Sequence, residues 1–158
     1  MYQQQISGFI ADLRRPRPNG GSAELTAELG GIAAAIRRQW AIEVEVHGGH
    51  AATIPKLLGD EISHLLREAA ANAVRHGKAT KLILSGEIAD DCLRLVVQDN
   101  GSGFPEAGSF DHFSLTRTGS GPRSILERAA SFRGTVDLVS SANGAVVSIL
   151  IPLGTIEI

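Results

Sequence analysis

The run LRLVVQDNGSGFP, Leu93 to Pro105, changes character at Asp99. Up to Gln98 it is apolar and β-branched, the composition of a buried strand. Beyond it stand a carboxylate, two closely spaced glycines, an aromatic residue and a proline. An Asp at a strand end can accept a hydrogen bond from an exocyclic amine, and glycines let backbone approach a flat ring or phosphates with no Cβ between. Asp, Asn and Gly also gather in turns for conformational reasons alone, so the meaning of this stretch depends on what flanks it.

On the N-terminal side, Leu82 and Leu84 lead a strand over about 81–88. Asp90-Asp91 turns it into the run that begins at Leu93, which makes a hairpin. Before that lies the longest helical pattern, about Pro55 to His76. Ile62, Leu65, Leu66, Ala69, Ala70 and Ala73 form its packed side, and Gly77 is placed to terminate it. Because helical residues turn by about 100° each, Glu61, Glu68, Asn72 and Arg75 share a sector of about 60°. One polar stripe therefore runs along an otherwise apolar helix, and alone it reads as a solvent-facing side. Further upstream, Ile42, Val44 and Val46 alternate with Glu43, Glu45 and His47 as a half-buried strand ending at Gly48-Gly49. A helix with the stripe Leu25, Leu29, Ile32, Ala33 and Ile36 precedes it up to about Trp40, with Ser22 as its candidate cap. A short helix over Ile6, Phe9, Ile10 and Leu13 is broken by RRPRPNGG.

On the C-terminal side, 101–121 is glycine-bearing and aperiodic, as a mobile functional loop would be. Gly119-Ser120-Gly121 ends it and leads into a helix from about Pro122 to Phe132, stopped by Gly134. Backbone N–H groups and the dipole at such a helix start suit an anion, although Gly-Ser-Gly is also an ordinary flexible linker. Thr135 to Ser140 and Ala145 to Leu150 close the chain as a hairpin around Ala142-Asn143-Gly144. The order predicts an α+β fold, one sheet with helices packed on a single face.

Bulk properties narrow the function. The chain's 158 residues suit one domain, and 43% apolar with 20% charged residues is an ordinary globular composition. No run approaches the roughly 18 apolar residues of a membrane span. A formal net charge of −2, with interspersed signs and only a small cluster at Arg14, Arg15 and Arg17, argues against a nucleic-acid surface. Cys92 is the one cysteine, which excludes an internal disulfide and a multi-thiolate zinc site and points to a cytoplasmic setting. The start, MYQQQISGFIADL, lacks the features of a signal peptide.

Taken together and in order, EAAANAVRHG (Glu68 to Gly77), DNGSGF (Asp99 to Phe104), GSGPRSILER (Gly119 to Arg128) and the glycine-bearing final hairpin resemble the four nucleotide-binding boxes of the GHKL ATPases. That superfamily includes histidine kinases, gyrase-type topoisomerases, Hsp90-type chaperones, mismatch-repair ATPases and anti-sigma-factor kinases. The segment Gly121 to Gly134 is most similar to the short-lid histidine kinases of the nitrate-sensor and lipid-fluidity-sensor type. ISGFIADLRRP (Ile6 to Pro16) resembles the junction between the dimerisation helix and the catalytic domain in that group. The resemblance implies a two-layer α/β sandwich, the Bergerat fold, with a mixed, mostly antiparallel sheet. It divides the chain into a junction over 1–18 and a catalytic domain over 19–158.

It also implies roles. Asp99 would bind the adenine amino group, with Gly101 and Gly103 shaping the wall beside the base. Asn72 would hold Mg²⁺ through its side-chain oxygen, Arg75 or His76 would sit near the phosphates of ATP, and Gly119 and Gly121 would border them. Glu68 occupies the general-base position of the hydrolysing relatives. Ala145 stands where relatives commonly carry a threonine hydroxyl near the adenine-binding aspartate, and Pro122 replaces an aliphatic lid residue. None of His47, His50, His64, His76 and His112 is followed by an acidic residue. The expected enzyme is therefore a protein histidine kinase domain that binds ATP and ADP and donates phosphate to a histidine on a separate dimerisation domain, with a response regulator downstream. No nucleic acid or membrane contact is expected of it, although the parent kinase can be membrane-anchored. An anti-sigma-factor-type serine kinase and a degenerate nucleotide-sensing module are the alternative readings.

Overall fold

The computed structural model describes residues 22–48, 52–119 and 121–155. The expected helix around Ile6 to Leu13 and the junction over 1–18 lie outside them. The elements run β1 (Ser22–Glu24), α1 (Leu25–Trp40), β2 (Glu43–Gly48), β3 (Thr53–Pro55), α2 (Lys56–Gly77), β4 (Lys81–Ala89), β5 (Cys92–Asp99), β6 (Gly108–Phe110), α3 (His112–Thr118), α4 (Arg123–Ala130), β7 (Thr135–Ser141) and β8 (Gly144–Pro152). A 3₁₀ turn, Leu153–Thr155, follows. Among the described residues no helix is long and apolar enough to cross a membrane.

Six strands form one sheet in the order β2-β4-β5-β8-β7-β6, and β1 pairs with β3 separately. Only β2 and β4 run parallel; the other neighbours are antiparallel. The fold is thus the expected α+β sandwich with a mixed sheet. Alternation places the core: Leu82 and Leu84, Leu93, Leu95 and Val97, Val136 and Leu138, and Val147, Ile149 and Ile151 are all buried. Against this face pack Leu29, Ile32 and Ile36 of α1, Ile62, Leu65, Leu66 and Ala69 of α2, and Ile125 and Ala129 of α4. In the β4–β5 turn, Asp90 and Asp91 both take left-handed backbone, with φ of 53° and 60°. Two consecutive left-handed residues are what a tight hairpin of this twist requires.

Several boundaries differ from the sequence reading. Ser22 lies in β1, paired with Pro55, and the N-cap of α1 is Glu24, which makes no side-chain capping bond. Lys78, at φ 56°, takes the left-handed conformation that ends α2, while Gly77 remains helical. Arg133, at φ 58°, does the same after α4 in place of Gly134. The aperiodic stretch 101–121 contains β6 and α3, both held by distant groups. Asp111 caps α3 by accepting the Ser114 N–H at 2.8 Å. His112 donates its N–H to Asp137 Oδ1, and its Nδ1 accepts the Val136 N–H, each at 3.0 Å.

Candidate functional site

Leu93, Leu95 and Val97 point inward from β5, and the same parity carries Asp99 toward the helices at the strand's end. Val97 pairs with Val147 and Gln98 with Val146. Continued by one residue, that register sets Asp99 opposite Ala145, which is 2% exposed. Asn100 faces away: its Oδ1 accepts the N–H groups of Thr80 and Lys81 at 2.9 and 3.0 Å, tying the end of β5 to the start of β4.

The chain then passes between two backbones. A Cβ on Gly101 would lie 2.6 Å from the Gly77 carbonyl oxygen, and that oxygen accepts the Ser102 N–H at 2.8 Å. Gly103 has φ +80°, and a Cβ there would lie 2.1 Å from the Ser141 carbonyl oxygen. The Phe104 N–H donates to Ser140 Oγ at 2.7 Å. Ser140, 3% exposed, occupies an inward position of β7 and thereby anchors the loop to the sheet. Asp99 Oδ1 accepts the Gly101 N–H at 2.8 Å, which orients the carboxylate.

These elements surround a cavity of about 810 Å³. Its apolar part is made by Val97, Val147 and Ala145 from the sheet and Ala69 and Ala73 from α2. Asn72 and His76 line it from successive turns of α2, Asp99 from β5, Ser102 to Pro105 from the loop, and Gly121 to Ile125 from the start of α4. No side chain caps the start of α4. The structure thus brings together Asn72, His76, Asp99, Gly103, Gly121 and Ala145.

The other anticipated residues stand aside. Gly101 is packed against Gly77. Gly119 ends α3 and borders a neighbouring groove between α3 and α4. Glu68, one turn before Asn72, accepts a hydrogen bond from Ser124 Oγ at 3.1 Å. Arg75 does not line the cavity; its guanidinium carbon lies 5.4 Å from the centroid of the Trp40 ring. Glu61 accepts from Arg128 at 2.8 Å, an ion pair that joins α2 to α4. Arg123, Ser124 and Ser140 are contributions the sequence reading missed. A signal existed for Ser140, a hydroxyl at a buried parity in an apolar strand. For Arg123 and Ser124 the signal was their place in the first turn of a helix that follows a glycine loop.

Residues 58–155, more than half of the chain, match the family described as histidine kinase-, DNA gyrase B- and HSP90-like ATPase. The chain belongs to that family. It is 31% identical over 155 residues to the sensor histidine kinase MctS of Rhizobium johnstonii, covering 94% of this chain and 33% of that protein. It is 35% identical over 92 residues to the sensor histidine kinase YvfT of Bacillus subtilis, covering 58% of this chain and 22% of that protein. The chain therefore spans a third or less of these relatives. Its structure resembles the ATP binding domain of PrrB from Mycobacterium tuberculosis, with a TM-score of 0.67 and 26% identity, covering 85% of this chain and 97% of that one. The histidine kinase domain of a blue-light activated kinase from Erythrobacter litoralis shares the fold, with a TM-score of 0.70 and 24% identity over 92% of this chain and 74% of that one. Within its family, the chain is an ATP-binding domain of the kind found in sensor histidine kinases.

Proposed function

We propose that this domain binds Mg-ATP in the cavity and donates the γ-phosphoryl group to a histidine on a separate dimerisation domain, from which it passes to a response regulator. The observation that carries the reading is the convergence of Asn72, His76, Asp99, Gly103, Gly121 and Ala145 on one cavity that is apolar beside Asp99 and polar at Asn72. Asp99, its carboxylate held by the Gly101 N–H, accepts the adenine amino group while Val97 and Val147 pack against the ring. Gly103 and the Phe104 backbone close the wall beside the base. Asn72 presents a neutral amide oxygen, a ligand that suits Mg²⁺ when phosphates and water supply the remaining oxygens. Held by the Asn72 side-chain oxygen, Mg²⁺ would offset the negative charge of the phosphate groups.

In the transfer, an imidazole nitrogen of the partner domain forms the new N–P bond as the bond from the γ-phosphorus to the β,γ-bridging oxygen breaks and ADP leaves. The imidazole proton is released, and we assign its acceptance to Glu68, on the resemblance of its position to the general base of the hydrolysing relatives. We assign the domain to the short-lid subgroup on the resemblance of the segment Gly121 to Gly134, and to a cytoplasmic setting. Without the dimerisation domain it binds nucleotide and scarcely turns over.

Titration calorimetry with Mg-ATP and Mg-ADP tests this reading. Wild type binds both, Asp99→Asn binds neither, and Asn72→Ala loses the dependence on Mg²⁺. Acid-labile, base-stable label on an added dimerisation fragment completes the case, whereas acid-stable label on a small antagonist protein would identify a serine kinase. A folded wild-type chain that binds nothing at millimolar nucleotide would overturn the reading. Ala145 is the observation that favours a non-catalytic sensing module, since it places a methyl group where a hydroxyl could assist Asp99.

A further inference from the structure

Neither the motif DNGSGF nor the cavity lining gives a role to Asn100, which is exposed. Its hydrogen bonds are nevertheless concentrated on two residues. Oδ1 accepts the Thr80 and Lys81 N–H groups at 2.9 and 3.0 Å, Nδ2 donates to Thr80 Oγ1 at 3.0 Å, and the backbone N–H donates to the Lys81 carbonyl at 3.3 Å. A primary amide suits this task, because it offers an acceptor with two lone pairs and a donor on one short stem. The Thr80 carbonyl in turn accepts the Glu43 N–H at 3.0 Å, so the segment that Asn100 grips is also fixed from the β2 side.

What the grip holds is the end of β5. Pairing with β8 stops at Gln98 and Val146, whereas pairing with β4 continues one residue further, to Leu82 opposite Asp99. Asp99 therefore depends on β4 for its height along the sheet. The neighbouring residue of β4, Lys81, has its N–H bound by the Asn100 side chain in place of a backbone carbonyl. That exchange lets the backbone leave the ladder directly after Asn100, and the Gly101 N–H then reaches Asp99 Oδ1 at 2.8 Å.

We propose that Asn100 is a positioning residue for base recognition: it holds the Asp99 carboxylate where that group meets the exocyclic amine of the base, and so sets the selectivity for that amine. The inference rests on the nucleotide-binding reading above and deepens it. A carboxylate distinguishes a purine with an amino group from one without only when it is held at hydrogen-bond distance and angle, since the interaction weakens steeply away from them. Removing the Asn100 amide leaves the contacts to the ring and the phosphates in place and loosens the carboxylate.

Titration calorimetry of the full chain with ATP and with purine riboside triphosphate, which carries hydrogen in place of the exocyclic amino group, tests the assignment in the presence of Mg²⁺. The chains compared are wild type, Asn100→Ala, Asn100→Asp and Arg128→Ala, each checked for folding by circular dichroism. A hydrogen bond to a charged group gives wild type a preference for ATP of about ten- to hundredfold. Asn100→Ala lowers that preference to about threefold or less by weakening ATP, while the analogue stays within about twofold of its wild-type affinity. Asn100→Asp restores most of the preference, because a carboxylate still accepts both N–H groups and can take a hydrogen bond from the Thr80 hydroxyl. Arg128→Ala, a loss of stability away from this loop, leaves the preference unchanged. The proposal is overturned if Asn100→Ala keeps the wild-type preference, if it weakens both nucleotides in the same proportion, as a merely structural residue would, or if Asn100→Asp recovers nothing. A wild type that binds the two nucleotides equally defeats the assignment of Asp99 to the amino group, and one that binds neither defeats the nucleotide-binding reading; this proposal falls with either.

Discussion

Replacing Gly103 by alanine should cost more than an exposed-loop substitution does, and the cost can be worked from three contacts. The residue sits at φ +80°, where a side chain is disfavoured by about 1–2 kcal/mol. The new Cβ would also lie 2.1 Å from the Ser141 carbonyl oxygen and 2.8 Å from Ser140 Oγ. Ser141 pairs with Gly144 at the end of the β7–β8 hairpin, so its carbonyl yields less readily than the loop does. When the loop moves, the Phe104 N–H separates from Ser140 Oγ, and a buried hydrogen bond broken on one side costs about 1–3 kcal/mol. The total is about 2–5 kcal/mol, a large part of the roughly 5–15 kcal/mol that holds a domain folded. Urea unfolding followed by the fluorescence of the single tryptophan, Trp40, reads the loss directly. The mechanism has an internal check. Ser140→Ala removes the same hydrogen bond, so the double variant should be less destabilised than the sum of the single ones by about 1–2 kcal/mol. A Gly103→Ala chain within about 0.5 kcal/mol of wild type, or a strictly additive double variant, would refute the reasoning.

Arg128→Ala breaks the half-exposed ion pair with Glu61 and should cost only about 0.2–1 kcal/mol, with faster amide exchange in α4 as the more sensitive readout. Asp111 is held below the ordinary carboxylate range, first by the Ser114 backbone N–H and then by its side chain. Because its folded-state pKa is depressed, the cap contributes above the unfolded value near 3.8 and is lost as pH falls through the folded value. Asp111→Ala should therefore speed amide exchange over α3 at neutral pH, and the difference from wild type should fade in acid below that range; an equal difference at all pH values would count against the cap. Ala145→Thr, which adds a hydroxyl opposite Asp99, should tighten ATP about two- to tenfold by calorimetric titration, as one added hydrogen bond allows. Unchanged or weaker binding would mean that the added methyl displaces the base.

Long periodic segments were legible because their burial is one-sided. The apolar stripe of α1 and the alternation in β4, β5, β7 and β8 each left a pattern several residues long. β1, β3, β6 and α3 are too short for that, and what holds them is remote: Ser22 pairs with Pro55, and α3 leans on Asp137 and Val136. The two glycines read as helix stops illustrate a different limit. Lys78 and Arg133 take the left-handed turns, while a Cβ on Gly134 would meet the Leu150 carbonyl oxygen at 2.8 Å and one on Gly77 would touch the loop that follows Asp99. Sequence shows that a glycine is needed there, but close approach and positive φ leave the same letter.

The polar stripe of α2 carries the same lesson into the site. Glu61, Glu68, Asn72 and Arg75 share one sector of the helix, and a wheel assigns them one environment. The structure divides that sector by height. Glu61 and Glu68 meet Arg128 and Ser124 of α4, Asn72 meets the cavity, and Arg75 turns to Trp40 at the end of α1. His76, at the edge of the sector, reaches the cavity instead. A helical wheel gives azimuth alone, and what stands opposite each turn is set by neighbours dozens of residues away in the chain. For that reason the aspartate at the end of β5, fixed in azimuth and height by strand register, was placed by sequence, whereas which of Arg75 and His76 lines the cavity needed the fold. Ser124 and Arg128 tie α4 to α2 through Glu68 and Glu61, contacts that no helical wheel contains.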